Sequence, residues 1–440
     1  MVARAVPVRH VGAAPRAAAD LPQAAALSNY LYRALGPGAH ARALVRPGET
    51  VVWAGFARTH YYDIKHLTPT GEPRRGVVSR GFGAVGGFAG AVVAGLLDGA
   101  DDGPDKPPPA DVLVSGPQAG CLAHQHLSAL PSISRVLLRL WVLTSQRLVV
   151  FAERPPVDEP PPGNDSLLGK ASRFGKGLAK IGRIITDTRA TFGDHVEGEP
   201  VAPKDFVLAV EIPAARIAGA HGSRVSLVDG SSIDFVRGVT GPGWEVSTAE
   251  YELKTVTEEV TGHWLRPGER LVLACAPING YTGVLLDGEL RLPHEPLGDL
   301  PEVKLGRLKW PRPAEWTVRN QGADWADDPT VAFWAHATRP EQDAVRFADH
   351  LAHTRGDARL TLTSHRAAVV YPTRLLADAA ADADKNPFTT FGELPASSIR
   401  SLSAEIVGCG LPSAPVIRLD FTDGSTLLVR DPLTSRRLGT

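Results

Sequence analysis

The 440-residue sequence predicts a mainly β protein with capping helices, an α+β chain made of two tandem copies of one domain. Three observations carry that prediction. A Thr-Ser-x-Arg signature occurs twice between strand-like runs, an Asp-Gly-Ser turn occurs twice downstream of it, and an Arg-Pro-Gly-Glu opening occurs twice upstream. The three recur in the same order, which chance rarely arranges.

The openings are LVRPGETVVWAGF at 44–56 and WLRPGERLVLACA at 264–276, each a Pro-Gly turn leading into a strand. The signatures lie in LRLWVLTSQRLVVF (138–151) and DARLTLTSHRAAVV (357–370), which align Thr144 with Thr363, Ser145 with Ser364 and Arg147 with Arg366. Runs of β-branched and apolar residues on both sides read as strands, and the small hydroxyl residues mark the tight connection of a hairpin. Arg147 and Arg366 read as braces of that hairpin, each bonding backbone carbonyls or a carboxylate. Further along, Pro213-Ala214 and Pro395-Ala396 turn the chain before strands containing Ile217 and Ile399. Asp229-Gly230-Ser231 and Asp423-Gly424-Ser425 then read as type I′ hairpin turns, where glycine tolerates positive φ.

Between the copies, Trp244–Trp264 spaces its apolar residues as a helix, read as closing copy 1. Copy 2 ends eleven residues after Val429, too few for a comparable helix, but a shorter one starts at Pro340 before the second hairpin. The resulting division is an N-terminal helical or extended segment at 1–43, copy 1 at 44–264 with inserts at 74–110 and 152–205, and copy 2 at 265–440.

Together the Pro-Gly-Glu opening, the Thr-Ser-x-Arg hairpin, the Ile-Pro step, the Asp-Gly-Ser hairpin and the helix resemble bacterial PH-like and GRAM-like domains. The resemblance implies two bent sheets or barrels in tandem, each of about seven strands capped by one helix. It also implies binding of lipid, peptide or protein partners in place of catalysis. Copy 2 departs from the pattern in lacking the closing helix.

Composition narrows the function classes. Apolar residues at 43% suffice for proper cores, and a net charge of −1 gives no bulk attraction for nucleic acid. The three cysteines, Cys121, Cys275 and Cys409, are far apart and form no disulfide framework. The N-terminus lacks the apolar core of a secretory signal, so the expected location is cytoplasmic, extending to the inner face of the cell membrane. Neither G-x-S-x-G, Walker A, H-E-x-x-H nor a Rossmann fingerprint occurs, so no catalytic residues and no cofactor are assigned. Cys121-x-x-His124-x-His126 has zinc-compatible residue types but lacks a second ligand pair nearby, so no metal is assigned; His350 and His353 read as helix-surface residues.

Two stretches found in copy 1 alone are the candidates for function. In Gly81–Leu97 the small residues Gly83, Gly87, Ala91 and Gly95 form a ridge at every fourth position, suited to close helix packing, to homo-oligomer formation or to a membrane. Around Leu167–Ile185, Phe174, Leu178 and Ile181 belong to an apolar stripe flanked by Lys170, Arg173, Lys176, Lys180 and Arg183. A basic amphipathic helix of this kind suits an anionic membrane surface or a protein partner, and equally a helix packed on its own domain. The expected function is a non-enzymatic adaptor that attaches reversibly through these inserts. The competing reading is a divergent enzyme, or a nucleotide or small-ligand binder, with a site between the copies.

Overall fold

Each Thr-Ser-x-Arg segment turns a hairpin at the centre of a four-stranded antiparallel arrangement. The computed structural model describes residues 36–74, 110–133, 138–154, 198–200, 205–236, 244–278, 280–306, 310–322, 325–379, 387–411, 413, 415–431 and 433–438. Unit 1 contains α1 (Pro37–Leu44), β1 (Val51–Ala57), β2 (His60–Ile64), β3 (Val112–Gly116), α2 (Leu122–Leu127), β4 (Arg139–Thr144), β5 (Arg147–Glu153), β6 (Phe206–Pro213), β7 (Ile217–His221), β8 (Arg224–Leu227) and β9 (Ser232–Phe235). Unit 2 follows α3 (Trp244–His263) with β10 (Leu271–Ala274), β11 (Tyr281–Leu286), β12 (Glu289–Arg291), α4 (Glu315–Arg319), β13 (Val331–Ala337), α5 (Asp343–His353), β14 (Arg359–Thr363) and β15 (Arg366–Pro372). It ends with β16 (Phe388–Pro395), β17 (Ile399–Ile406), β18 (Gly410–Leu411), β19 (Pro415–Phe421), β20 (Thr426–Val429) and α6 (Thr434–Leu438).

The first sheet runs β1-β4-β5-β6 in unit 1 and β10-β14-β15-β16 in unit 2. The second runs β2-β3-β9-β8-β7 in unit 1 and β12-β11-β13-β20-β19-β17 in unit 2. The units also agree in irregular detail. Pairing slips after Val51↔Thr144 to Trp53↔Leu143, and likewise after Leu271↔Thr363 to Leu273↔Leu362. The extra residues of these bulges, Val52 and Val272, are left exposed. One turn of 3-10 helix, Ala214–Arg216 or Ala396–Ser398, carries the chain from the first sheet into the second at the Pro-Ala step.

Each unit holds two hydrogen-bonded sheets, and each second sheet contains a parallel pair, β2 with β3 and β11 with β13. Two expectations are revised. The Asp-Gly-Ser turns have positive φ only at Gly230 and Gly424, whereas a type I′ turn needs it at two residues. Gly230 N–H bonds to Leu227 O and Leu227 N–H to Ser231 O, the pattern of a three-residue loop with a glycine bulge. Lastly, α3 does not close copy 1. Its Val256, Val260 and Trp264 pack on Ala274, Ala368 and Val370, the outer face of the first sheet of unit 2. α1 does the same in unit 1, where Ala41 and Leu44 cover Val142, Val149 and Phe151. The repeat thus begins with its helix, directly before Arg-Pro-Gly-Glu.

That cover explains the unbroken apolar runs of the hairpin strands, which are buried on both faces. Between the sheets of unit 1 lie Val114, Leu143, Leu148, Ile212 and Phe235, and between those of unit 2 lie Phe333, Leu360, Val369 and Phe421. α5 adds Phe347 and Leu351 to the latter core. Each such side chain contributes roughly 1.5–3 kcal/mol by leaving water.

The units meet through backbone pairing. β18 of unit 2 lies parallel to β1 of unit 1, with Ala54 N–H bonded to Cys409 O at 2.7 Å. The Asp327 carboxylate accepts the N–H groups of Cys409 and Gly410 at 3.0 and 3.2 Å and faces Arg42 at 3.6 Å. Gly38 permits this approach, since a Cβ there would lie 2.3 Å from Asp327 Cγ.

Candidate functional site

The signature residues build one brace, twice. Thr144 Oγ1 accepts the N–H groups of Gln146 and Arg147 and Thr363 Oγ1 those of His365 and Arg366, all at 3.1 Å. Ser145 Oγ accepts Thr50 N–H at 3.2 Å and Ser364 Oγ accepts Arg270 N–H at 3.1 Å, tying each hairpin to the strand that opens its unit. Arg147 donates to both oxygens of Glu49, at 2.7 and 3.1 Å, and to Glu211 at 3.0 Å. Arg366 repeats this with Glu269 at 2.9 and 3.2 Å and Glu393 at 2.8 Å, while its guanidinium stacks 3.8 Å from the centre of the Trp264 ring. The motif glutamate of Arg-Pro-Gly-Glu is therefore the partner of the motif arginine. The hydrogen bond from Arg147 holds Glu49 below the usual carboxylate range. Sequence reasoning missed Glu211 and Glu393, whose signal was a glutamate two places before each Pro-Ala step.

Asp229 and Asp423 do more than turn hairpins. Asp229 accepts Leu122 N–H at 2.6 Å and Asp423 accepts Asp343 N–H at 2.7 Å, while Ser231 and Ser425 accept the next N–H in each case. A hairpin thus caps a helix 80 or more positions away.

With the framework shared, the differences inside the two units stand out. In unit 1 the buried Arg139 donates through Nη1 to His60 Nδ1 at 3.1 Å and through Nη2 to Pro131 O at 2.5 Å. His60 Nε2 lies 3.2 Å from the Tyr62 hydroxyl, and the His60 ring meets Trp141 edge-on at 6.2 Å. Burial, then the charge of Arg139, drives the His60 pKa down to about 3, so its imidazole is neutral. Strand register aligns His60 with Thr282 and Tyr62 with Val284, and counting back from the paired Thr144 and Thr363 aligns Arg139 with Ala358 and Trp141 with Leu360. Trp53 correspondingly aligns with Leu273. At these positions unit 1 places an arginine, a histidine, a tyrosine and two tryptophans where unit 2 places a threonine and four apolar residues.

No protein-family model, curated protein or solved structure matches this chain.

The ridge of Gly83, Gly87, Ala91 and Gly95 lies outside the described residues, as does the basic stripe of Lys170, Arg173, Phe174, Lys176, Leu178, Lys180, Ile181 and Arg183. Cys121 is buried at the start of α2, His124 Nδ1 accepts Gly120 N–H at 3.1 Å, and the His124 ring packs edge-on against Tyr62. The two copy 2 histidines are half-buried. His350 Nδ1 lies 3.0 Å from the Tyr371 hydroxyl, burial pushes its pKa down to about 4, and His353 bonds to Pro301 O at 2.6 Å. Unit 2 also buries His294 against Asp349, 2.6 Å apart, which pins the segment after β12 to α5. Among the described residues no helix is long and apolar enough to cross a membrane.

Proposed function

We propose that the chain is a non-enzymatic adaptor of two tandem PH-like units, acting in the cytoplasm at the inner face of the cell membrane. Unit 1 makes the attachment through its inserts, and the basic stripe from Lys170 to Arg183 supplies affinity for anionic lipid. The observation that carries this reading is the fate of the repeated residues. Arg147, Arg366, Asp229 and Asp423 are engaged in parallel internal roles, so the features that differ between units are the ones available for a partner. Those features belong to unit 1, while unit 2 contributes a platform docked on β1.

Co-sedimentation with anionic vesicles at low salt tests the proposal, using the full chain and a chain lacking 163–190. The full chain is expected to pellet with the vesicles, less so as salt rises, and the deletion to stay in solution. If neither binds, lipid attachment is lost and a protein partner becomes the preferred reading.

A further inference from the structure

We propose that Arg139, His60 and Tyr62 form an oxyanion-binding site within unit 1, suited to a small molecule carrying a carboxylate or phosphate group. This goes beyond the adaptor reading, and neither depends on the other.

At the centre of the cluster is an uncompensated charge. Arg139 is 4% exposed, and no carboxylate among the described residues lies within ion-pair distance of it. Its two partners are a neutral imidazole and a carbonyl. A buried guanidinium without an anion is costly, and folds ordinarily pair it, as this chain does with Arg147 and Arg366.

Proton bookkeeping then gives the sign of the ligand. An arginine only donates, so His60 Nδ1 must accept, which places the ring proton on Nε2. Nε2 in turn donates to the Tyr62 oxygen, leaving the Tyr62 O–H with no acceptor among the described residues. Beside them the buried indole N–H of Trp141 has no partner among the described residues, nor has that of Trp53 in the same core. The unspent capacity of this cluster is therefore all donor, next to a positive charge. An acceptor with negative charge satisfies it, and an oxyanion is the smallest such group.

Unit 2 serves as the internal control. With Thr282, Val284, Ala358 and Leu360 at these positions, it shows that the fold does not require the cluster. A cost retained in one copy and absent from the other marks a site.

The test is thermal unfolding of the full chain in inorganic phosphate or acetate, against chloride at matched ionic strength. Either anion is expected to raise the melting midpoint by about 2 °C or more at saturation. A response to phosphate alone assigns phosphoryl ligands, and one to acetate alone assigns carboxylates. Arg139→Ala, which installs the residue of unit 2, should abolish the shift. Tyr62→Phe keeps the ring and should reduce the shift even if the first variant does not fold. In the native chain the Trp141 indole proton resonance, assigned by its loss in Trp141→Phe, should move on titration. No anion-specific shift in the native chain, or a shift undiminished in Tyr62→Phe, overturns the proposal.

Discussion

Arg366 donates to both carboxylate oxygens of Glu269, 97 residues earlier in the chain, and Arg147 makes the same fork to Glu49 across 98 residues. In each unit this pair staples the first strand to the central hairpin, with a second glutamate completing the arginine's coordination.

Replacing one member should be severe. Arg366→Met strands Glu269 as a buried, unpaired carboxylate, and the expected loss is about 3–5 kcal/mol of stability, read as a lower urea midpoint. Arg147→Met should act alike on unit 1. Restoring much of the loss with Glu269→Gln in the Arg366→Met background would identify the stranded charge as the cause.

Asp423 provides a milder test. Asp423→Ala removes the acceptor for Asp343 N–H at the start of α5, and the expected cost is about 1 kcal/mol. Thermal unfolding followed by circular dichroism should show a lower midpoint, and Asp423→Asn should recover most of it.

The joint between units depends on Gly38. With a Cβ at that position placed 2.3 Å from Asp327 Cγ, Gly38→Ala must displace the carboxylate that holds Cys409 and Gly410. The expected cost is about 1–3 kcal/mol. Hydrogen exchange should rise at Ala54, whose amide bonds to Cys409 O, while the Glu269–Arg366 brace stays protected.

Acid should weaken the fold through its buried histidines. His60 is neutral in the folded chain with a pKa near 3, and protonates in the unfolded chain near 6.5. The unfolded state therefore binds more protons between these values, so stability is complete above pH 6.5 and falls as pH drops toward 3. The slope from His60 is about 1.4 kcal/mol per pH unit within that window. His350, lowered to about 4 by burial, acts in the same direction. Below about pH 4.5 Glu49 adds to the loss, its pKa being held down by Arg147. Urea midpoints should stay level from pH 7.5 to about 6.5 and fall from there to pH 4, and His60→Thr should flatten the profile.

Much of this architecture was legible in the sequence, because turns and hairpins follow local chemistry. Arg-Pro-Gly-Glu, Thr-Ser-x-Arg, Pro-Ala and Asp-Gly-Ser each specify a backbone path within a few residues. They located the hairpins at Thr144–Arg147 and Thr363–Arg366, and apolar spacing located the helix bounded by Asp343 and His353. Tertiary structure alone decided the rest. An amphipathic stripe states that α3 has a buried face but not which sheet receives it, and packing assigned Val260 and Trp264 to unit 2. The hairpin aspartates revealed their caps only once α2 and α5 lay against them. Above all, Arg139 reads in the sequence as one basic residue in an apolar strand. Its lack of a counter-charge among the described residues depends on which side chains share its interior, and that is set by contacts between strands far apart in the chain.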